Sequence, residues 1–116
     1  MSAAPVIAVT SGEPAGVGPE LCLRLAGYSR PPARLVVLGD KGLLAARACL
    51  LGVDVSLRDW RPAARPEPGT LEVLDLPADA GSVPGRLDPS NSRYVLRLLD
   101  RALAGCVSGE FAAMVT

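Results

Sequence analysis

Ten residues that follow the first apolar run of the chain have the composition of a ligand-contacting loop. Residues 11–20 read SGEPAGVGPE and come directly after the apolar run 5–10. Their three glycines allow positive φ angles and let a ligand approach the backbone closely, while their two prolines stiffen the turn. A loop of this kind, between a buried strand and a helix, lies where open α/β sheets bind ligands, next to unpaired N–H groups at the helix start.

The glutamates of this loop restrict the kinds of ligand that it could bind. The segment matches neither G-x-x-x-x-G-K-(S/T) nor G-x-G-x-x-G, the two familiar phosphate-binding patterns. Glu13 and Glu20 would repel a phosphate at the same helix end. The loop is better suited to hydroxyl groups, an adenosine ring or the outer shell of a cation. From the residues alone, ligand contact and a merely tight strand-to-helix turn, with Glu20 complementing the helix dipole, are equally good interpretations.

The rest of the chain offers few groups for catalysis. The sequence contains no histidine, which excludes Ser-His and Cys-His hydrolase arrangements within it and most transition-metal sites. Its carboxylates at Asp40, Asp54 and Glu110 fit a helix N-cap, an exposed strand residue and a turn at a helix end better than acid/base roles. We therefore predict no catalytic and no metal-binding residue in this chain.

The three cysteines are widely separated and lie among Leu, Ala and Val, at Cys22, Cys49 and Cys106. Their odd number and the absence of a C-x-x-C pattern argue against a disulfide framework and a zinc site. We predict that all three are buried and act as small apolar side chains.

Composition and charge exclude several classes of partner. Twelve basic and twelve acidic residues give no net charge, so nucleic acid and membrane surfaces are not expected partners. The arginines are scattered, and we predict that they lie on solvated faces. The first four residues carry no basic region, and the first apolar run is too short for a signal peptide or a membrane span. These features predict a cytoplasmic protein.

Strand and helix patterns alternate along the chain. Apolar runs predict strands over 6–10, 34–38, 53–57, 71–76 and 111–116, the third at an edge of the sheet and the last in its middle. Pro19 begins a helix that Gly27 closes, and Asp40 caps a helix over 41–51 that Gly52 closes. Apolar pairs every four residues predict an amphipathic helix over 94–107, and proline-rich loops cover 60–69 and 77–89. This alternation predicts one α/β domain with a largely parallel sheet.

Two segments carry a resemblance to a known family. Residues 10–20, TSGEPAGVGPE, resemble the amino-terminal signature T-x-G-E-P-A-G-(I/V)-G-P-E of the 4-hydroxythreonine-4-phosphate dehydrogenases. Residues 91–116, from NSRYV to GEFAAMVT, are similar to a helix and strand of the same family at the matching distance along the chain. The resemblance thus extends over essentially the whole chain.

The resemblance implies a fold and a reaction. The fold would be a three-layer α/β/α arrangement with a largely parallel sheet, related to isocitrate and isopropylmalate dehydrogenases and incomplete in this chain. The family oxidises the 3-hydroxyl of 4-phosphohydroxythreonine with NAD, or possibly NADP, and loss of carbon dioxide gives 3-amino-2-oxopropyl phosphate for vitamin B6 synthesis. Its members are homodimers with a divalent metal between subunits. Isopropylmalate dehydrogenases have a related G-D-G-I-G-P-E loop near the adenosine half of the coenzyme, and by this analogy Gly12, Glu13, Gly16 and Val17 would border NAD.

Length separates this chain from the family. Family members are much longer, and their metal-binding histidines and their substrate and phosphate contacts follow the position of Thr116. The resemblance therefore implies that residues 1–116 are the amino-terminal α/β portion of a longer dehydrogenase, inactive alone because the active site is absent. Two alternatives stay open: a paralogous dehydrogenase acting on 4-phospho-threonate or an erythronate-type substrate, and a non-catalytic nucleotide-binding α/β module.

Overall fold

The strands lie side by side in one parallel sheet. The computed structural model describes residues 4–27, 33–79 and 82–116. In these ranges the strands are β1 Val6–Thr10, β2 Arg34–Gly39, β3 Ser56–Asp59, β4 Thr70–Asp75 and β5 Ala113–Val115. Their order across the sheet is β3-β4-β2-β1-β5, and all neighbouring pairs are parallel. The predicted α/β class with a parallel sheet is confirmed.

Helices cover both faces of the sheet. They are α1 Gly18–Arg24, α2 Lys41–Leu51 and α3 Ser92–Ser108, with single 3₁₀ turns at Leu25–Gly27 and Pro89–Asn91. Successive strand residues point to opposite faces, which gives the molecule two apolar clusters. One joins β2 and β4 to α1 and α2 through Cys22, Leu23, Val37, Leu44, Ala48, Leu71 and Val73. The other joins β1 and β2 to α3 through Ala8, Val36, Leu38, Tyr94, Leu98, Ala102 and Phe111. The three-layer α/β/α arrangement is therefore also confirmed.

The strand order reverses between β1 and β5. From β1 the chain passes through α1 to β2 and then through α2 to β3, on one side of β1. It returns from β4 over the opposite face, through α3, and enters β5 on the other side of β1. In open α/β sheets, ligands bind beyond the carboxyl ends of the strands at such a reversal.

Two predicted strands differ from those observed. The strand predicted over 53–57 is β3, Ser56–Asp59, at an edge as expected but starting later. Val53 still donates its N–H to the carbonyl of Ala48 at the end of α2, which keeps it out of the sheet. The final strand was expected in the middle of the sheet, but β5 lies at an edge and pairs with β1. Ala113 and Val115 are exposed and Met114 is half-buried, so the apolar sequence of β5 determined neither its burial nor its place in the order.

The cysteine prediction is only partly right. Cys22 is buried, and this burial raises the pKa of its thiol to about 11. Cys106 is half-buried, and Cys49 is exposed. Cys49 lies on the outer side of α2, because the inward stripe of that helix is formed by Leu44, Arg47 and Ala48.

Candidate functional site

The glycine-containing loop lies at the carboxyl edge of the sheet. Residues 11–17 connect the end of β1 to the start of α1, beside the end of β2 at Gly39. Ser11 extends the β1–β2 pairing by one residue, since its N–H donates to the carbonyl of Leu38 at 3.0 Å. The side chain of Ser11 is buried, so the loop begins inside the molecule and then emerges at the edge.

The three loop glycines have different structural roles. Gly12 has a φ of +74°, a conformation that its lack of a side chain allows. Gly16 donates its N–H to the carbonyl of Glu13 at 3.0 Å, in a turn that does not use a positive φ. A Cβ on Gly18 would lie 2.0 Å from the carbonyl oxygen of Ser11. The close approach at Gly18 is therefore made by the loop's own backbone, and of the three loop glycines only Gly12 uses the positive φ that glycine allows.

Tyr94 of α3 supports the loop from the core. Its hydroxyl accepts the N–H of Asp40 at 2.8 Å and lies 3.5 Å from the hydroxyl of Ser11. The Tyr94 side chain is buried, and desolvation raises the pKa of its phenol despite these hydrogen bonds. The Tyr94 hydroxyl thus joins the segment after β1 to the segment after β2.

Asp40 is a structural residue, as predicted. One of its carboxylate oxygens accepts the N–H of Leu43 at 2.9 Å and caps α2. The other accepts the N–H of Ala78 at 2.8 Å, which holds the segment after β4 against the start of α2. Both oxygens are engaged, so the carboxylate is not placed as a general base.

Arg47 of α2 contacts the loop from the protein interior, and the sequence patterns did not predict this contact. Its side chain is 4% exposed, and its Nη2 donates to the carbonyl of Pro14 at 2.8 Å. The prediction that the arginines lie on solvated faces is wrong here. The helical spacing could have predicted this burial. Arg47 follows Leu44 by three residues and precedes Ala48 by one, so it lies on the same inward face of α2 as these two apolar residues.

A second segment packs beside the loop at the same edge. Gly85 donates its N–H to the carbonyl of Ala15 at 2.8 Å. Gly85 has a φ of +81° and follows Pro84 in a tight turn closed by the N–H of Arg86 and the carbonyl of Val83. The segment 82–86 therefore forms one wall beside residues 11–17.

The structure brings the four predicted coenzyme-contacting residues together in this loop. Gly12, Glu13 and Gly16 are half-buried, and Val17 is 67% exposed. One carboxylate oxygen of Glu13 accepts the N–H of Ala15 at 2.7 Å, and the other is buried without a hydrogen-bond partner. Residues 11–17 thus lie at the reversal of strand order, with the Glu13 carboxylate turned back toward the backbone of their own loop.

The other predicted structural carboxylates lie apart from this loop. Asp54 is exposed, but it precedes β3 and is not a strand residue as expected. Glu110 follows α3 and accepts hydrogen bonds from Arg101 at 3.0 Å and from the indole of Trp60 at 3.1 Å. Arg101 holds the pKa of the Glu110 carboxyl below its usual value. Glu110 is therefore engaged in the turn that leads to β5.

The part of the chain that the structure describes offers no group of donor atoms that fits a metal ion. Across residues 4–27, 33–79 and 82–116, no three His, Cys, Asp or Glu side chains cluster as metal ligands would. The whole sequence has no histidine. In the same ranges, no helix combines the length and apolar character that crossing a membrane requires.

Known proteins resemble this chain along its whole length. A family model described as pyridoxal phosphate biosynthetic protein PdxA matches residues 32–116. A 4-hydroxythreonine-4-phosphate dehydrogenase of Azoarcus sp. is 60% identical over 116 residues, which is all of this chain and 35% of the relative. The Chromobacterium violaceum protein of the same name is 58% identical over 113 residues, or 97% of this chain and 34% of the relative.

Solved structures agree with the sequence relatives. The crystal structure of the Klebsiella pneumoniae 4-hydroxythreonine-4-phosphate dehydrogenase superimposes with a TM-score of 0.84 at 31% identity, over 95% of this chain and 36% of the other. The Burkholderia phymatum structure gives a TM-score of 0.83 at 28% identity, over 95% of this chain and 35% of the other. The chain spans about a third of the length of the relatives that it matches.

Proposed function

The chain belongs to the pyridoxal phosphate biosynthetic protein PdxA family, and we propose that it is the amino-terminal α/β portion of an NAD-dependent dehydrogenase. The proposed substrate is 4-phosphohydroxythreonine, whose 3-hydroxyl is oxidised; loss of carbon dioxide then gives 3-amino-2-oxopropyl phosphate for pyridoxal 5'-phosphate synthesis. The observation that carries this proposal is the 60% identity over the entire chain to a relative named for this dehydrogenase.

The proposed contribution of this chain is coenzyme contact. Residues 11–17 lie at the carboxyl ends of parallel strands where the strand order reverses, the usual ligand position in open α/β sheets. Tyr94 and Arg47 fix the loop from two sides. We assign Gly12, Glu13, Gly16 and Val17 to the border of NAD, or of NADP if the complete enzyme uses that coenzyme.

The chemical step is assigned to residues outside this chain. Removing a hydride from an alcohol requires a group that takes the hydroxyl proton and a group that polarises the oxygen. Asp40 and Glu110 already accept hydrogen bonds from protein donors, and the described residues offer no metal site. We therefore propose that a divalent metal and the substrate are held by other parts of a longer cytoplasmic homodimer, and that these 116 residues alone are inactive.

An activity assay tests this proposal. The purified chain and the full-length Azoarcus relative are each incubated with NAD, a divalent metal salt and 4-phosphohydroxythreonine, and NADH formation is followed by its absorbance. We expect turnover from the relative only. A parallel assay of the relative with 4-phospho-threonate distinguishes the paralogous specificity. NADH formation by the 116-residue chain itself would contradict the assignment of the chemistry to other residues.

A further inference from the structure

Arg47 places a positive charge beneath the proposed coenzyme loop. Its guanidinium makes one hydrogen bond, from Nη2 to the carbonyl of Pro14, and its buried Nη1 has no hydrogen-bond partner. In the part of the chain that the structure describes, no carboxylate forms an ion pair with it. A buried charge without a counter-charge is costly, and a fold that keeps one near a surface loop favours an anion there.

The loop whose Pro14 carbonyl Arg47 contacts also has backbone N–H groups that are available as donors. The N–H groups of Ser11, Ala15 and Gly16 are used within the protein. Those of Gly12, Glu13 and Val17 donate to no acceptor within residues 4–27, 33–79 and 82–116. Unpaired backbone N–H groups grouped in one short loop are good donors to phosphate oxygens.

Glu13, in the loop itself, and Glu20, in the first turn of α1, are the groups that oppose an anion here. The carboxylate of Glu13 is half-buried and accepts the N–H of Ala15, with the second oxygen unpartnered. Glu13 and Arg47 both adjoin Pro14, one as its chain neighbour and the other as its hydrogen-bond donor. The charge of Arg47 offsets that of Glu13, whereas Glu20 in the first turn of α1 remains an opposing charge that a bound phosphate must tolerate.

We propose that residues 11–17 bind a phosphate group and that Arg47 is the positioning residue whose charge makes this binding favourable. The inference rests on the proposed function, in which NAD brings a diphosphate to this loop. The phosphate of 4-phosphohydroxythreonine has the same chemistry, so the experiment tests both sources.

Amide chemical shifts of the ¹⁵N-labelled 116-residue chain provide the test. The chain is titrated with ADP, adenosine, inorganic pyrophosphate, NAD and 4-phosphohydroxythreonine. We expect ADP, pyrophosphate and NAD to shift the amides of Gly12, Glu13 and Val17 saturably, with adenosine binding at least about tenfold more weakly. If only 4-phosphohydroxythreonine shifts these amides, the phosphate site stands and the coenzyme assignment fails.

Variants separate charge from packing. Arg47→Met should weaken ADP binding about tenfold and leave adenosine binding within about twofold, whereas Arg47→Lys should retain most of the ADP affinity. Glu13→Gln should strengthen ADP binding because it removes the opposing charge. Arg93→Met, at an exposed position of α3, is the matched control and should change neither affinity.

The possible negative results distinguish the role of Arg47 from the assignment of the loop to the coenzyme. NAD shifts at Gly12 and Val17 with unchanged affinity in Arg47→Met would overturn the role of Arg47 and leave the proposed coenzyme loop intact. NAD shifts confined to other residues would overturn both. If Arg47→Met does not fold, two measurements still test the proposal: the affinities of the unaltered chain for ADP and adenosine, and the titration of Arg47→Lys. Equal affinities for ADP and adenosine would refute a phosphate site.

Discussion

Ser11 determines the path of the loop because two glycines leave room for it. Its side chain lies against Gly39 at the end of β2, and its carbonyl lies against Gly18 at the start of α1. Tyr94 closes the third side of this small enclosure. At both glycine positions it is close approach, and not a positive φ, that excludes a larger residue. The loop is thus held in place by contacts from three different elements.

Gly39→Ala tests this enclosure. The added Cβ would lie 2.6 Å from the Ser11 hydroxyl and 3.2 Å from the Ser11 Cβ. Because these atoms are packed in the core, we expect a loss of about 1–3 kcal/mol in the free energy of unfolding, measured by urea denaturation. Gly42→Ala, on the exposed side of α2 with its nearest neighbour at 3.4 Å, should instead stabilise the chain by about 0.5–1 kcal/mol. Equal effects of the two variants would show that Ser11 can move away at little cost.

At the scale of elements, an ion-paired cluster on the α3 face joins β2 to β4. Arg34 of β2 donates through Nε to the Glu72 carboxylate of β4 at 2.7 Å, and Arg58 of β3 donates to the same carboxylate at 3.1 Å. Three neighbouring strands are thereby connected across the sheet. The Glu72 side chain is 5% exposed, so its carboxylate is largely shielded from bulk water, whereas Arg58 is 27% exposed.

Arg34 also holds the proline-rich loop, residues 60–69, against the sheet. Its guanidinium donates to the carbonyls of Arg61 and Pro62, each at 3.1 Å, and stacks 4.7 Å from the centre of the Trp60 ring. Trp60 in turn packs on Phe111 beside α3. The loop 60–69 therefore covers part of the sheet face without forming a helix.

Glu72 predicts a specific dependence of stability on pH. Burial raises the pKa of its carboxyl, but hydrogen bonds and charges from Arg34 and Arg58 outweigh burial and hold the pKa below the usual 4.5. Its contribution to stability is therefore complete above the pKa of the unfolded chain and is lost as the pH falls through the lower pKa of the folded chain. Glu72→Gln should cost about 2 kcal/mol at neutral pH and progressively less in acid, by urea denaturation at several pH values. Glu67→Gln is the control and should change the free energy of unfolding little, because the Glu67 side chain is 67% exposed. A cost of Glu72→Gln that does not vary with pH would contradict this account.

Sequence patterns predicted the elements best where local contacts define them. The bounds of α2 were predicted correctly because Asp40 caps its start and Gly52 ends it. The edge position of β5 was missed because the order of strands depends on pairing between distant segments. The glycine loop could likewise be located from its own residues. The burial of Arg47 could have been inferred from its position on the inward face of α2. The contacts that Arg47 and Tyr94 make with the loop could not, since these two residues lie 33 and 83 positions away from the residues that they contact.

At the scale of the whole molecule, α3 has a second apolar stripe that faces away from the sheet. Leu96, Leu103 and Val107 are 60%, 56% and 82% exposed and, being seven and four residues apart, lie on one side of the helix, with the exposed Asp100 between the two leucines. The edge strand β5 also exposes Val115, at 53%. Exposed apolar stripes and unpaired strand edges both favour association between protein molecules.

Self-association of the purified chain should therefore depend on the outer side of α3. We expect sedimentation velocity to show association that rises with concentration, and the double substitution Leu103→Lys with Val107→Glu to weaken it at least about tenfold. The melting temperature should change little, because neither side chain belongs to the apolar clusters that bury Leu98 and Ala102 on the opposite side of the helix. Leu87→Lys provides the comparison, because this 73% exposed leucine lies in the segment between β4 and α3 and should leave association unchanged. Association that persists in the double variant would contradict the role of α3 and would indicate pairing through the β5 edge instead. Strand pairing uses backbone groups, which side-chain charges on α3 do not block.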